Sequence, residues 1–232
     1  MKFVPALLLF VAIRASAQPV VEVSTVRDPE LKSYAAMAKG LDAFDAERSR
    51  APQGALRFLL HPLLRPAARD ETLQELELKI VGEQVALPVP LDADGGFVLP
   101  RSAAALEDNA NLVLNRKRHT FRWRPEVRSP GVPANARRLG DLRVQCAVQW
   151  AIEQADLAPA ARTALSAAGG PCRSMTMHMG FDAPAPLRGA WLRDGERREP
   201  IPVSRHYRRV FNPPLADQSW RDDTLVEFEY AR

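Results

Sequence analysis

The chain has 232 residues, with 32 lysines and arginines against 28 aspartates and glutamates and a formal net charge of +4. Charge this close to balance does not mark a polyanion binder. The length accommodates one large domain or two small ones, each with its own core, and 20 prolines against 12 glycines point to many short, bounded elements.

The N-terminus, MKFVPALLLFVAIRASAQ, begins with basic Lys2, continues in a mostly apolar run from Phe3 to Ile13 and ends in the small residues Ala15, Ser16 and Ala17. This is the pattern of an export leader cleaved after Ala17. The run is too short for a mature transmembrane helix, and the lack of a cysteine near the cut excludes a bacterial lipid anchor. Cleavage leaves 215 residues starting at Gln18, with 30 basic and 28 acidic groups. No later segment is long and apolar enough to span a membrane, so the expectation is a soluble periplasmic or secreted chain. In such an oxidising compartment the two cysteines, Cys146 and Cys172, are expected to pair. Closing that loop stabilises the fold by about 3–4 kcal/mol in the chain-entropy model.

Val20–Val26 is β-branched and reads as a strand. Asp28-Pro29 has the form of a helix start, with Asp as N-cap and Pro at the first helical position. Leu31, Tyr34, Met37, Leu41 and Phe44 then give one apolar face, ending near Arg48. Ala55–Leu60 reads as a strand. In TLQELELKIV, Leu76, Leu78 and Ile80 alternate with charged residues, which leaves one side wet, and Gly82-Glu83 turns the chain.

The stretch PVPLDADGGFVLP, Pro88 to Pro100, resembles a cation loop at first sight. An EF-hand loop beginning at Asp92 needs an oxygen ligand at its fifth position, glycine at the sixth and glutamate at the twelfth. The chain has Gly96, Phe97 and Ala103 there. A hairpin accounts for the stretch better. Leu87, Val89 and Leu91 point one way, Asp92–Gly96 turns, and Phe97 and Leu99 return on the core side. Pro88 and Pro90 lack N–H groups along one side of the strand, which requires a free sheet edge. LDADGGFVLP also resembles the signature of transthyretin-like, carboxypeptidase-regulatory-like β-sandwich modules. Asp92, Asp94, Gly95 and Phe97 fall on the matching positions, and the resemblance spans Leu73 to Arg124. It implies a β-sandwich half in which the aspartates shape a turn, Phe97 is core and the role is accessory, not catalytic.

ANLVLN and HTFRWRP read as a strand pair around the basic turn Asn115–Arg118, with His119, Phe121 and Trp123 on one face and Thr120, Arg122 and Arg124 on the other. Basic residues interleaved with aromatics can bind single-stranded nucleic acid, but an exported chain seldom meets any. RSPGVPANARR, residues 128–138, reads as a linker between a first β-rich module with a helix (18–127) and a second one (139–232). In the second, Leu142, Val144, Cys146 and Val148 alternate as a strand. A helix follows with Pro159 near its start and Gly169-Gly170 closing it. SMTMHMGF then reads as a strand, and Asp194-Gly195 as a hairpin turn. SRHYRRV reads as a strand with His206 and Arg208 on one face, and DTLVEFEY as a closing strand. Pro200-Ile201-Pro202 echoes Pro88-Val89-Pro90. From each proline pair to a Leu-Val dipeptide is 24 residues (Pro88 to Leu112) or 25 (Pro200 to Leu225), which is the spacing of an internal repeat.

The fold class is therefore α+β, dominated by antiparallel strands in two similar halves. No nucleophile elbow, zinc-protease motif or phosphate loop is present. The histidines, His61, His119, His178 and His206, are scattered, and the acids Asp217, Asp222, Asp223 and Glu227 read as turn-solvating groups. The expected function is non-catalytic binding or scaffolding of an envelope component, protein or glycan, with no nucleic acid, no membrane span and no cofactor. One alternative is copper handling by Met175, Met177, His178 and Met179, since thioethers favour Cu(I). In a strand His178 points away from the three sulfurs, so this geometry predicts no stoichiometric Cu(I) binding. A hydrolase with an unusual site is the further alternative.

Overall fold

A computed structural model describes residues 26–63 and 72–231. The expected leader, its expected cleavage site and all but the last residue of Val20–Val26 lie outside the described residues. The first half opens with β1 (Pro29–Ser33), which runs directly into α1 (Tyr34–Ala46). Asp28-Pro29 is thus not the start of this helix. Asp28 has φ +58°, and Pro29–Ser33 pair antiparallel with β6 (Asn111–Lys117). The cap is Ser33, whose hydroxyl accepts from the Ala36 N–H at 3.3 Å. Leu31, expected on the helix face, instead points outward and is exposed, whereas Tyr34, Met37 and Phe44 are buried.

β2 (Ala55–Pro62), β3 (Leu78–Val81) and β4 (Ala86–Val89) follow as expected, and β4 is an outer strand, consistent with its prolines. The Asp92–Gly96 segment does turn, with Asp92 N–H bonded to Gly96 O and Gly95 N–H to Asp92 O. It does not close a hairpin. β4 pairs with β3, whereas β5 (Gly96–Phe97) pairs with β2 in a different sheet. The same switch corrects the expected strand pair after it. β6 lies between β1 and β3, while β7 (Phe121–Arg128) lies along β2. Between β5 and β6 a short helix, α2 (Ala103–Glu107), is capped by Ser102.

The second half begins with β8 (Ala136–Arg138) inside the segment that reads as a linker, where Ser129 and Arg137 are buried. Residues 139–153 form helix α3 (Leu139–Glu153) and not a strand. Leu139, Leu142 and Cys146 fall in one core, and Val144, Val148 and Ile152 in the other. Two apolar stripes at i, i+4 spacing, offset by two residues, mimic the period-2 alternation of a strand. α4 (Pro159–Ala167) has Pro159 in its first turn and Gly169 at φ +83° beyond its end, and α5 (Gly170–Arg173) follows. Cys146 and Cys172 form a disulfide that ties α5 to α3. Of the expected strand SMTMHMGF only its last residue is in a strand, β9 (Phe181–Asp182); residues 174–180 are loop. β10 (Leu187–Asp194) and β11 (Arg197–Pro200) form the expected hairpin, with its turn at Gly195-Glu196, one residue later than Asp194-Gly195. SRHYRRV is loop up to Arg209, because Arg209 folds back to donate from Nε to Ala183 O at 3.1 Å, leaving only β12 (Val210–Phe211) extended. β13 (Leu225–Tyr230) is the closing strand.

The two principal sheets are built alike. One has the order β1-β6-β3-β4 and the other β8-β13-β10-β11, all antiparallel. In each, the outer strand leads into the long helix, and the closing strand slots between it and the hairpin. Registers agree as well. Ile80 faces Leu112 and Leu87, as Leu192 faces Val226 and Glu199. Pro88 therefore corresponds to Pro200 and Val89 to Ile201, both buried. The Leu-Val dipeptides are out of step by one: the buried pair is Leu112 and Val226. Beside each sheet, a post-helix phenylalanine pairs with a post-hairpin one, Phe58 with Phe97 and Phe181 with Phe211.

Candidate functional site

Strand β7 directs Phe121 and Val127 into the first core, and Arg122, Arg124 and Glu126 alternate onto its outward face. The second half packs over part of this outward face. A cavity of about 40 Å³ remains at the junction, lined by His61 and Arg124 from the sheet, Arg137 from β8, Gln145 from α3, and Glu126 and Asp182. Arg137 is nearly enclosed. Its Nη2 donates to Val127 O at 2.7 Å and to Gln145 Oε1 at 2.8 Å, but its Nε has no acceptor. Arg124 donates from Nη1 to Glu153 Oε1 at 3.4 Å, and its buried Nε likewise has none.

Burial lowers the pKa of both guanidiniums. Arg122 adds to that effect at Arg124, and Glu126, 4.0 Å from Arg137, opposes it there. His61 is also pushed down, by burial first, with Asp182 opposing. The lining includes a histidine and two carboxylates but no hydroxyl or thiol. Glu126 is itself engaged by Arg57 Nε at 2.8 Å. Arg57 also reaches Asp94 at 2.9 Å and Asp92 at 3.9 Å. The two aspartates of the apparent cation loop thus serve a salt-bridge cluster and, through Asp94 Oδ1 accepting from Gly96 N–H, their own turn.

The remaining expected residues have local partners. Trp123 donates to Glu30 at 3.4 Å and sits edge-on to Phe97, so the aromatics of HTFRWRP belong to the first core. His119 lies in a turn at φ +65° and His206 in an exposed loop. Asp222 binds Arg143 at 2.6 Å, Asp223 Arg221 at 3.2 Å and Glu227 Arg193 at 2.9 Å, while Asp217 accepts from Ser219 N–H at 2.8 Å. None of these acids pairs with another. Among the described residues no group of three or more His, Cys, Asp or Glu side chains is arranged to hold a metal.

Met175, Met177, His178 and Met179 are brought together. Without a strand to alternate them, all four line one cavity of about 30 Å³, closed on its other side by Pro213–Asp217. Sequence reasoning missed the junction cleft because Arg137 lies in a segment with the composition of a linker. Arg137 is buried there by its hydrogen bonds to Val127 and Gln145 and by the pairing of β8 with β13. The chain matches no family model, and comparisons with curated proteins and with solved structures return no match.

Proposed function

We propose that the protein is an exported, non-catalytic binding protein of the bacterial envelope whose ligand inserts one polar group into the junction cleft. The observation that carries this reading is the pair of buried guanidinium N–H groups, on Arg124 and Arg137, without acceptors in one cavity. A buried donor left unpaired costs about 1–3 kcal/mol, and an incoming oxygen recovers that. The cavity is small enough to admit a single amide or carboxylate. With Glu126 and Asp182 beside the guanidiniums, it favours a group that both accepts and donates over a pure anion. Amide-bearing peptides and amino-sugar glycans of the envelope have that chemistry. The export leader and the Cys146–Cys172 disulfide support the compartment, and among the described residues no helix is long and apolar enough to cross a membrane.

The test is capture from envelope extract by the tagged mature protein, with Arg124→Gln and the distant Arg188→Gln compared in parallel. The expected outcome is one retained component, lost at least tenfold by R124Q and unaffected by R188Q. Equal retention by all three proteins rejects the cleft. Turnover of the retained component rejects the non-catalytic role.

A further inference from the structure

The loop between α5 and β9 is built differently from the rest of the surface. Ser174 Oγ accepts from the N–H groups of Thr176 and Met177, at 3.2 and 3.1 Å, and folds the chain back on itself. Met179 is partly buried against the second core, Met177 is half-buried, and His178 is exposed. Met175 is 68% exposed, an unusual setting for a large apolar side chain. Three thioethers and one imidazole therefore border a single cavity, closed opposite by the proline-rich segment Pro213–Leu215 and by Asp217.

Donor chemistry selects the ion. Hard cations such as Ca²⁺ and Mg²⁺ require several oxygens, and this cavity presents one carboxylate. Zinc sites draw on thiolate, imidazole and carboxylate ligands, and the only cysteine of the α5 end, Cys172, is committed to its disulfide. Uncharged thioether sulfur with one imidazole suits a soft, monovalent ion. Asp217, held anionic by its hydrogen bonds from Ser219, supplies the neighbouring negative charge.

We propose that Met175, Met177, Met179 and His178 bind one Cu(I) ion at the mouth of this cavity. The site is independent of the junction cleft and stands whether or not a ligand occupies that cleft. The α5 end of the loop is anchored by the disulfide and the β9 end by Phe181 in the second core. The donors are thus held near one another while the face stays open for transfer of the ion.

The test is titration of the intact, oxidised mature protein with Cu(I) in competition with a chromogenic Cu(I) chelator. The expected result is one Cu(I) retained per chain, with sulfur neighbours in the copper X-ray absorption spectrum. The triple variant Met175→Leu/Met177→Leu/Met179→Leu should bind at least 100-fold more weakly. Leu–Met swaps nearly conserve volume, so its fold should survive. If that variant proves unstable, the pair Met175→Leu/His178→Ala, both at exposed positions, should still weaken binding at least tenfold at unchanged Tm. Failure of the wild type to hold copper against the chelator, or retention by the folded variants equal to wild type, overturns the proposal.

Discussion

The two halves share a sheet order and a register but are completed in different ways. In the first, β2 is eight residues long and hydrogen-bonded on both sides, by β5 and β7. In the second, its counterpart β9 is two residues long and pairs only with β12. The second half carries a covalent link that the first lacks among the described residues: α5 is fastened to α3 by Cys146–Cys172. Backbone pairing imposes alternation on every residue it orders, whereas a disulfide fixes one point and imposes no alternation on the loop beside it. Both candidate sites border that less regular wall.

The most damaging way to break the comparison is to separate the halves. The composition of residues 128–138 leads one to expect two independently folding modules. α3, however, supplies Val144, Val148 and Ile152 to the first core. Asp141 and Gln145 bond to the Ser129 and Val127 N–H groups across the same segment. We expect that neither fragment produced by a cut at 128–138 unfolds cooperatively alone. A sharp calorimetric transition from either one would restore the two-module picture. Next in size, Phe58→Ala and Phe211→Ala remove equivalent buried rings and should each cost about 3–5 kcal/mol. Because the halves share α3, urea unfolding of each variant should remain a single transition by both tryptophan fluorescence and far-UV circular dichroism. Non-coincident curves would show that the cores melt separately.

Reducing Cys146–Cys172, or replacing both cysteines by serine, should cost about 3 kcal/mol. The loss should appear as early hydrogen exchange in α5 and the 174–180 loop and leave β2 and β7 protected; uniform loss of protection would contradict the role assigned to the link. At Gly140 an added Cβ lies 2.3 Å from Arg50 O and 2.9 Å from Asp222 Cβ, where elements of both halves converge. Gly140→Ala should therefore destabilise by about 1–3 kcal/mol through overpacking, measured as a lowered urea midpoint at unchanged m. The smallest effect concerns Glu47. Partial burial pushes its carboxyl up, but hydrogen bonds from Arg50 and from Arg173 of α5 outweigh this and hold it below the ordinary 4.5. A depressed carboxyl contributes stability that is fully present above its unfolded-state pKa and is lost as pH falls through the folded value. Glu47→Gln should flatten the acid side of the stability profile by less than about 1 kcal/mol, the scale of an exposed pair. An unchanged profile would detach α5 from α1 energetically.

Much of the first half is legible in the sequence because its signals are local. Prolines two apart within a strand pattern mark an outer strand, and Pro88-Val89-Pro90 and Pro200-Ile201-Pro202 occupy equivalent outer positions. The spacing of Tyr34, Met37 and Phe44 gives the helix, although the cap is settled by the pairing of Lys32 with Leu112, a long-range contact. α3 is illegible for a physical reason: a helix buried on two sides loses the polar face that betrays its period. Met175–Met179 alternates as a strand would, but its neighbour Ser174 takes two backbone N–H groups and turns the chain. The junction cleft depends on where β7 and α3 meet, and neighbouring residues contain no trace of that.

The double allegiance of α3 also bears on how the chain comes together in time. Synthesis delivers the N-terminal half first, yet that half lacks one wall of its core until Val144, Val148 and Ile152 have followed, 16 to 24 positions beyond Arg128. Chains arrested before Glu153 emerges should accordingly stay open to proteases throughout residues 29–128, and chains arrested after it should become resistant there. Resistance in the shorter chains would mean that the first half closes without its borrowed helix.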